Sequence, residues 1–223
     1  MELHLKHPLP PVGWPEEVPS VGGNQRNLTG RALQKCGCGV VAGLDLARYL
    51  HLYHLGCESD FFRGASTQAR MSPIFYDSCA RRMSQRFLPI VPPIGTNGPA
   101  LAAGFNSYCK KYGLPLKARW GVPAERFWSA AEEMLAQDFP VIVSIGKPFP
   151  LVFSGEKLAL WRNGRVACRV SAHFVTMTGL DDQWCYVASW GRDYAIRREE
   201  FDRYRRRESS SFLCNLLEFR RAE

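Results

Sequence analysis

The sequence lacks long apolar runs, and none approaches the roughly 20 residues that a membrane-spanning helix needs. The stretch 1–19 carries five prolines and no apolar core of the kind found in a secretory signal. Internal repeats and low-complexity segments are absent too. These absences predict a cytoplasmic protein that does not have a membrane as its partner.

Cysteine is sparse, with eight in 223 residues. This is well below the density of a small scaffold held together by disulfide bonds. Without a signal for export, we expect the thiols to remain free in a reducing compartment. The cysteines are Cys36, Cys38, Cys57, Cys79, Cys109, Cys168, Cys185 and Cys214.

Basic residues outnumber acidic ones, 29 against 21, which gives a net charge of +8. Part of the excess lies in 197–207, where six arginines are interleaved with Glu199, Glu200 and Asp202. Such interleaving is typical of a solvated, salt-bridged helix face. No recognised nucleic-acid-binding motif accompanies the charge, so we expect no specific nucleic-acid partner.

The length of the chain suits one domain with a core of ordinary size. Residues 1–30 are rich in Pro, Gly and Asn and are predicted to form an extended arm. Residues 31–223 are predicted to form a single domain, helical over about 31–137 and sheet-forming over about 138–223. Helices followed by antiparallel strands predict the α+β class. The oligomeric state stays open.

Apolar spacing and glycine positions predict the elements within this domain. Prolines and glycines make 58–98 look irregular. Asn163-Gly164 is a type I′ turn signature and predicts a hairpin around it. In chain order, the expected elements are helices at 40–50 (ending by Gly56), 99–112 and about 124–137, a strand at 140–145, and hairpins over 158–170 and 174–187.

A cysteine and a histidine form the most informative pair in the sequence. A thiol nucleophile needs a lowered pKa, a base beside it and donors for the oxyanion. Cys38 stands at the start of the first long helix, where the helix N-terminus is expected to lower the pKa of the thiol. Cys36, also followed by glycine, is the alternative nucleophile. His173 opens a predicted strand far along the chain and is the candidate base.

Four segments, taken in order over 34–204, form a recognisable series. The first is Cys38-Gly39-Val40-Val41-Ala42, which reads Cys-Gly-x-x-Ala at a helix start. The other three segments are 95–114 with its Gly-Thr, Leu and Tyr-Gly, 128–143 with a helix before Pro-Val-Ile-Val, and 172–182 with His-x-Val-x-x-x-Gly-x-Asp-Asp. Together the segments resemble the double-glycine-leader (bacteriocin-processing) peptidase-like branch of the papain-like cysteine peptidase superfamily, in which the first segment begins the catalytic helix.

The resemblance implies a papain-like cysteine peptidase fold, in which an N-terminal helical lobe carries the catalytic helix and packs on a C-terminal antiparallel sheet. It implies that Cys38 attacks a carbonyl and that His173 acts as base and then as acid. Gln34, four residues before Cys38, is expected to stabilise the oxyanion with the Cys38 backbone N–H, in preference to Gln25 at thirteen. The implied partner is a peptide or acyl substrate, and no cofactor is implied.

The chain departs from the family at the third catalytic position, where an Asp or Asn orients the histidine. Alignment on Ser189-Trp190-Gly191 puts Ala188 there, and counting from His173 puts Ser189 there. A serine hydroxyl accepts the ring N–H less strongly than a carboxylate does. We expect Ser189 to substitute. Asp193 has suitable chemistry but needs a local insertion to reach the site.

These patterns predict a thiol hydrolase of peptide or amide bonds. Two alternatives stay open: an acyltransferase that uses the same pair, and a binding module that has lost the complete triad and uses the basic stretch 197–207 to hold an acidic partner. A zinc site is a third hypothesis, from Cys36-x-Cys38 and His51-x-x-His54. Its spacing is poor, and a continuous helix would hold His51 about 20 Å from Cys38. No metal is therefore expected.

Overall fold

The structure is a computed structural model and describes residues 2–15, 20–64, 70–147 and 155–221. Helices dominate the first half of the chain and antiparallel strands the second, which confirms the predicted α+β class. The helices are α1 (Arg31–Cys36), α2 (Cys38–Tyr53), α3 (Pro73–Arg86), α4 (Gly98–Tyr112), α5 (Phe127–Ala136) and α6 (Arg198–Arg207). The strands are β1 (Leu3–His4), β2 (Leu116–Trp120), β3 (Val141–Ile145), β4 (Leu158–Arg162), β5 (Arg165–Val170), β6 (His173–Leu180), β7 (Trp184–Ser189), β8 (Arg192–Arg197) and β9 (Leu217–Arg221).

Helix α2 is the central helix, and its residues 39–50 are buried on every side. Gly37 separates it from α1: the Gly37 N–H donates to Leu33, and its carbonyl accepts from Val41. A Cβ on Gly37 would collide with the Leu33 carbonyl, so the sharp junction requires glycine. The helix ends at Tyr53, earlier than predicted, because His54 is extended.

Helices α4 and α5 lie near their predicted positions. The Asn97 side chain accepts the Ala100 N–H at 2.9 Å and caps α4, and Gly113 ends it in the left-handed conformation. The first residues predicted for α5 form a 3₁₀ turn instead, at Ala124–Arg126.

Helix α3 lies in a region that was predicted to be irregular. Ser72 caps its N-terminus by accepting the Phe75 N–H, and Pro73 occupies the first turn. The helix ends at Arg86, before the prolines and glycines of 89–98 begin. Those residues therefore follow the end of the helix, and the prediction of an irregular segment was wrong for 73–86.

Among the described residues, seven strands form one sheet in the order β1-β6-β7-β8-β4-β5, with β3 also paired to β6. The pairs are antiparallel throughout. Both predicted hairpins are present, as β4–β5 and β6–β7. Asn163 and Gly164 both have positive φ, as a type I′ turn requires.

The predicted scheme lacked the strands β1, β2, β8 and β9. In the predicted N-terminal arm, Leu3 pairs with Leu180, which adds β1 to the edge of the sheet. Strand β2, inside the half predicted to be helical, pairs with β9 in a separate two-stranded sheet. Among the described residues, no helix combines the length and apolar character that crossing a membrane requires.

Helix α2 packs against β6 and β3, and this contact brings the start of α2 to the start of β6. A Cβ on Gly39 would lie 3.3 Å from the Phe174 ring, so the absence of a side chain there permits the close approach. The first residues of these two elements, Cys38 and His173, therefore lie at the same end of the sheet.

Candidate active site

Cys38 is the first residue of α2 and is partly buried. The backbone N–H groups of Phe174 and Gly39 donate towards the thiol and favour its charged form. Burial outweighs them and raises the pKa of Cys38 above its usual value. The sequence predicted a lowered pKa from the helix N-terminus, and the structure shows the opposite direction.

His173 is buried at the start of β6, opposite Ile145 of β3. Its Nε2 lies 2.7 Å from the Ser189 hydroxyl oxygen. Its ring stacks on Trp190 with centroids 4.4 Å apart. Burial, with a smaller contribution from the charge of Arg26, lowers the pKa of His173 to about 4. At neutral pH the pair is therefore a thiol and a neutral imidazole.

The end of β7 and the turn after it hold the two side chains that contact the His173 ring, Ser189 and Trp190. Trp190 has φ of 49° and Gly191 has φ of 71°. A bulky side chain in the left-handed region is uncommon and costs about 1–2 kcal/mol. The Val21 N–H donates to the Gly191 carbonyl at 3.0 Å and ties the segment before α1 to this turn. The conformation holds the indole over His173 while Ser189 remains in the strand.

Cys38 and His173 both line two separate spaces. One is an open cleft of about 340 Å³, and the other is a small cavity of about 10 Å³. Side chains of the cleft include Ile94, Trp120, Phe174, Phe212 and Leu213, with Lys147 as its charged residue. The small cavity is lined on its polar side by Gln25, Asp45, Thr176 and Ser189.

Asp45, two turns after Cys38 on α2, was not predicted to belong to the site. Its carboxylate accepts the Gly23 N–H at 2.8 Å and the Tyr76 hydroxyl at 2.7 Å. Burial raises the pKa of Asp45 to about 6, against these hydrogen bonds and the charge of Arg48. The contacts anchor the segment that carries Gln25. An aspartate seven residues after Cys38, inside the apolar stretch 39–47, was the signal that could have found it.

The two candidate glutamines lie in different places. The Gln34 side chain is exposed, and its amide donates to the Leu28 carbonyl at 2.8 Å. Gln25 is buried and lines the small cavity together with Cys38. Its amide donates to the Gln34 carbonyl at 3.0 Å. The structure thus brings Gln25 to the thiol and directs the Gln34 side chain elsewhere.

The other candidate residues lie outside the group around the thiol or contribute little to it. Cys36 is the last residue of α1, and its thiol donates to the Pro93 carbonyl at 3.5 Å. Neither the cleft nor the cavity is lined by Cys36. Ala188 lines the small cavity but supplies no polar atom. Asp193 pairs with Ala188 from β8, is exposed, and interacts electrostatically with Arg162.

The residues of the zinc hypothesis have other partners. Helix α2 is unbroken between Cys38 and Tyr53, which keeps His51 far from the thiols. His51 accepts the Ser59 N–H at 2.9 Å, and His54 Nε2 lies 2.7 Å from the Asp138 carbonyl. In the described parts of the chain, no group of three or more His, Cys, Asp or Glu is arranged to hold a metal ion. All eight cysteines are free.

Comparison with known proteins finds similarity among solved structures only. No protein-family model matches the chain, and no curated protein matches it. A solved structure of a candidate C39-like peptidase from Bacillus anthracis is similar, with 12% identity and a TM-score of 0.45. The similarity covers 84% of this chain and 90% of that one. At this identity and TM-score, it does not bear on the chemistry of the site.

Proposed function

We propose that the protein is a papain-like thiol hydrolase that cleaves peptide or amide bonds through Cys38 and His173. The observation that carries the proposal is the placement of this pair: a thiol at the start of a buried helix shares one cleft with an imidazole whose Nε2 is held by Ser189. The papain-like arrangement is part of the proposal. It is supported by the packing of the thiol-bearing helix against the histidine-bearing strand.

The resting pair is neutral, so proton transfer accompanies attack. With the ring proton on Nε2, where it donates to Ser189, the Nδ1 atom is the base. Cys38 loses its proton to Nδ1 as sulfur bonds to the substrate carbonyl carbon. His173 then returns the proton to the leaving amine, and the carbon–nitrogen bond breaks. Water, activated by the same nitrogen, hydrolyses the acyl thioester and restores the thiol.

We assign the oxyanion role to the Gln25 amide and the Cys38 backbone N–H, in place of Gln34. Gln25 lines the space next to the thiol, and one of its two amide hydrogens remains after the bond to the Gln34 carbonyl. Asp45 supports this role indirectly, because its bond to the Gly23 N–H positions the segment. Asp45 is therefore a positioning residue.

Ser189 takes the third position in this proposal. Its hydroxyl orients the ring as Asp or Asn would, but a neutral oxygen stabilises the imidazolium less than a carboxylate does. We therefore expect a working but slower catalyst. Ala188 and Asp193 take no part.

Acyl transfer is the second candidate because the cleft beside the thiol is largely apolar. An apolar acceptor site that disfavours water would let an amine intercept the same acyl thioester. The two reactions share every step up to that intermediate.

Turnover of activated p-nitrophenyl esters of N-acetylated amino acids tests the proposal. We expect acylation of Cys38, seen as a mass adduct on that residue, and release of p-nitrophenol. The Cys38→Ala and His173→Gln variants should lose about 10³-fold or more in rate. Glycinamide, added as an acceptor amine, separates hydrolysis from acyl transfer by the product formed.

Cys36→Ser is the matched control, since it removes a neighbouring thiol outside the cleft. It should retain the wild-type rate. If no ester acylates Cys38 faster than it acylates Cys36, the catalytic proposal fails and a non-catalytic binding module is the better description.

A further inference from the structure

Arg26 forms a stack with two residues of the candidate site. Its guanidinium lies 4.9 Å from the centroid of the Trp190 ring, and Trp190 in turn stacks on His173. The Arg26 N–H donates to the Asn24 side chain at 3.0 Å, which fixes the backbone in a 3₁₀ turn. The same segment is tied to the Trp190 turn through the Val21 bond to Gly191. The guanidinium is therefore held at a defined place beside the imidazole.

Arg26 is one of several arginines whose charge has no carboxylate partner among the described residues. In the described parts of the chain, no Asp or Glu lies within ion-pair distance of it. The residue is exposed, and the indole covers one face of its guanidinium. Other arginines pair with carboxylates: Arg63, Arg81, Arg126, Arg198, Arg205 and Arg220. The N–H edge of Arg26 thus remains available to an external anion.

Arg26 neighbours residues of the small cavity and not residues of the cleft. Gln25 and Trp190, its chain neighbour and its stacking partner, line the small cavity and do not line the cleft. Cys38 and His173 line both. A substrate held across the thiol with one end in the cleft would run its other end over Trp190, towards the guanidinium.

We propose that Arg26 binds a carboxylate of the substrate, on the side of the scissile bond that faces away from the apolar cleft. The preferred substrate then has an apolar group on one side of that bond and a carboxylate on the other. This inference rests on the proposed function and names its substrate class. Arginine suits the role because its planar fork binds a carboxylate through two parallel hydrogen bonds, and stacking on the indole reduces the freedom lost on binding.

The test uses three peptides that differ at the first residue beyond the scissile bond on this side: Asp, Asn or Lys. All have the same apolar residue on the other side and an amidated C-terminus. We expect kcat/KM for Asp to exceed that for Asn about fivefold and that for Lys about twentyfold at low salt, since the contact is exposed and charge-assisted. The ratio of kcat/KM for the Asp peptide to that for the Asn peptide should fall to near one in Arg26→Gln. In Arg26→Lys it should lie between the values of Arg26→Gln and the wild type.

Arg86→Gln is the matched control, because Arg86 is exposed at the end of α3 and lines neither space. It should keep the wild-type ratio. A fourth peptide, with the Asn residue at its C-terminus as a free acid, separates the two carboxylate sources. Preference for this peptide over its amide assigns the site to a chain terminus, and preference for Asp in the amide assigns it to a side chain.

Binding of the same peptides to Cys38→Ala, measured by fluorescence anisotropy, makes the result independent of turnover. The inference is supported if the carboxylate peptides bind Cys38→Ala more tightly than the others and this preference is lost in the Cys38→Ala, Arg26→Gln double variant. This holds even if the wild type cleaves no peptide, and in that case the proposed function alone fails. If the Asn peptide is cleaved through Cys38 but Arg26→Gln leaves all ratios unchanged, the inference about Arg26 is overturned and the proposed function stands.

Discussion

Cys38 and His173 lie between a cleft of about 340 Å³ and a small cavity of about 10 Å³, and the two spaces differ in size and in the exposure of the side chains that line them. Aromatic and aliphatic side chains line the cleft, where Phe212 is 63% exposed and Ile94 is 70% exposed. Buried hydrogen-bonding groups line the cavity, among them Asp45 and Gln25. The cleft has room for a substrate, while the cavity holds little more than the protein's own hydrogen bonds.

Because of this difference, the two spaces suit different roles. Covering exposed apolar surface is favourable in free energy, so the cleft favours the binding of an apolar group. Polar groups that are already paired resist movement, so the cavity favours fixed geometry. The pair at the boundary is nevertheless poorly solvated, and this is why burial raises the pKa of Cys38 and lowers that of His173.

The largest predicted effect on stability concerns two titrating groups that line the small cavity. Asp45 has its pKa raised from 3.8 to about 6, so its contribution to stability is full below pH 3.8 and is lost as the pH rises through 6. His173 has its pKa lowered from 6.5 to about 4, so its contribution is full above pH 6.5 and is lost as the pH falls through 4. Each amounts to about 3 kcal/mol, and in the wild type they oppose each other between pH 4 and 6.5.

A variant that removes one of these two groups should reveal how the free energy of unfolding depends on pH through the other group. In Asp45→Asn, the free energy of unfolding should rise by about 3 kcal/mol between pH 4 and 6.5, and in His173→Gln it should fall by about as much. Urea unfolding at several pH values measures both. Asp60→Asn, an exposed carboxylate, is the control and should follow the wild type. Equal slopes in the two cavity variants would contradict the assignment.

The next effect concerns the floor of the open cleft. A Cβ on Gly98 would collide with the Trp120 ring, whose Nε1 donates to the Phe212 carbonyl at 3.2 Å. We expect Gly98→Ala to lower the free energy of unfolding by about 2 kcal/mol through overpacking. It should also lower kcat/KM for substrates with an apolar group, because the displaced indole enters the cleft.

Chemical denaturation and ester turnover measure these changes. Ala103→Ser, exposed on the same helix, should stay within about 0.5 kcal/mol of the wild type. If Gly98→Ala retains both stability and turnover, Trp120 does not form a rigid wall of the cleft.

The smallest effect concerns the boundary between the two spaces. Ser189→Ala removes the hydroxyl that holds His173 Nε2, while Trp190 still stacks on the ring. We expect kcat to fall about tenfold, or about 1.4 kcal/mol in activation free energy, with KM little changed. Steady-state turnover of the p-nitrophenyl esters measures both parameters. A larger change in KM than in kcat would mean that Ser189 acts on binding instead of on the imidazole.

Local sequence signals predicted the elements that have local causes. Asn163-Gly164 supplies the positive φ angles of its own turn, and Asn97 and Gly113 supply the caps of α4. Strands β1 and β2 were missed because their partners lie far along the chain, where no short-range pattern specifies pairing. Helix α3 was missed because the prolines and glycines of 89–98 mark a break in the chain but do not show how far the helix before that break extends.

The sequence by itself determined the α+β class and the residues that carry the proposed chemistry, a thiol at a helix start and a histidine at a strand start. Tertiary structure alone decided that Gln25 and Asp45 line the same small cavity as Cys38, that Arg26 stacks on Trp190, and that Cys38 and His173 are both neutral at pH 7. The physical reason is range. Caps and turns act over a few residues, whereas burial and electrostatics sum contributions from segments that meet only when the chain has folded.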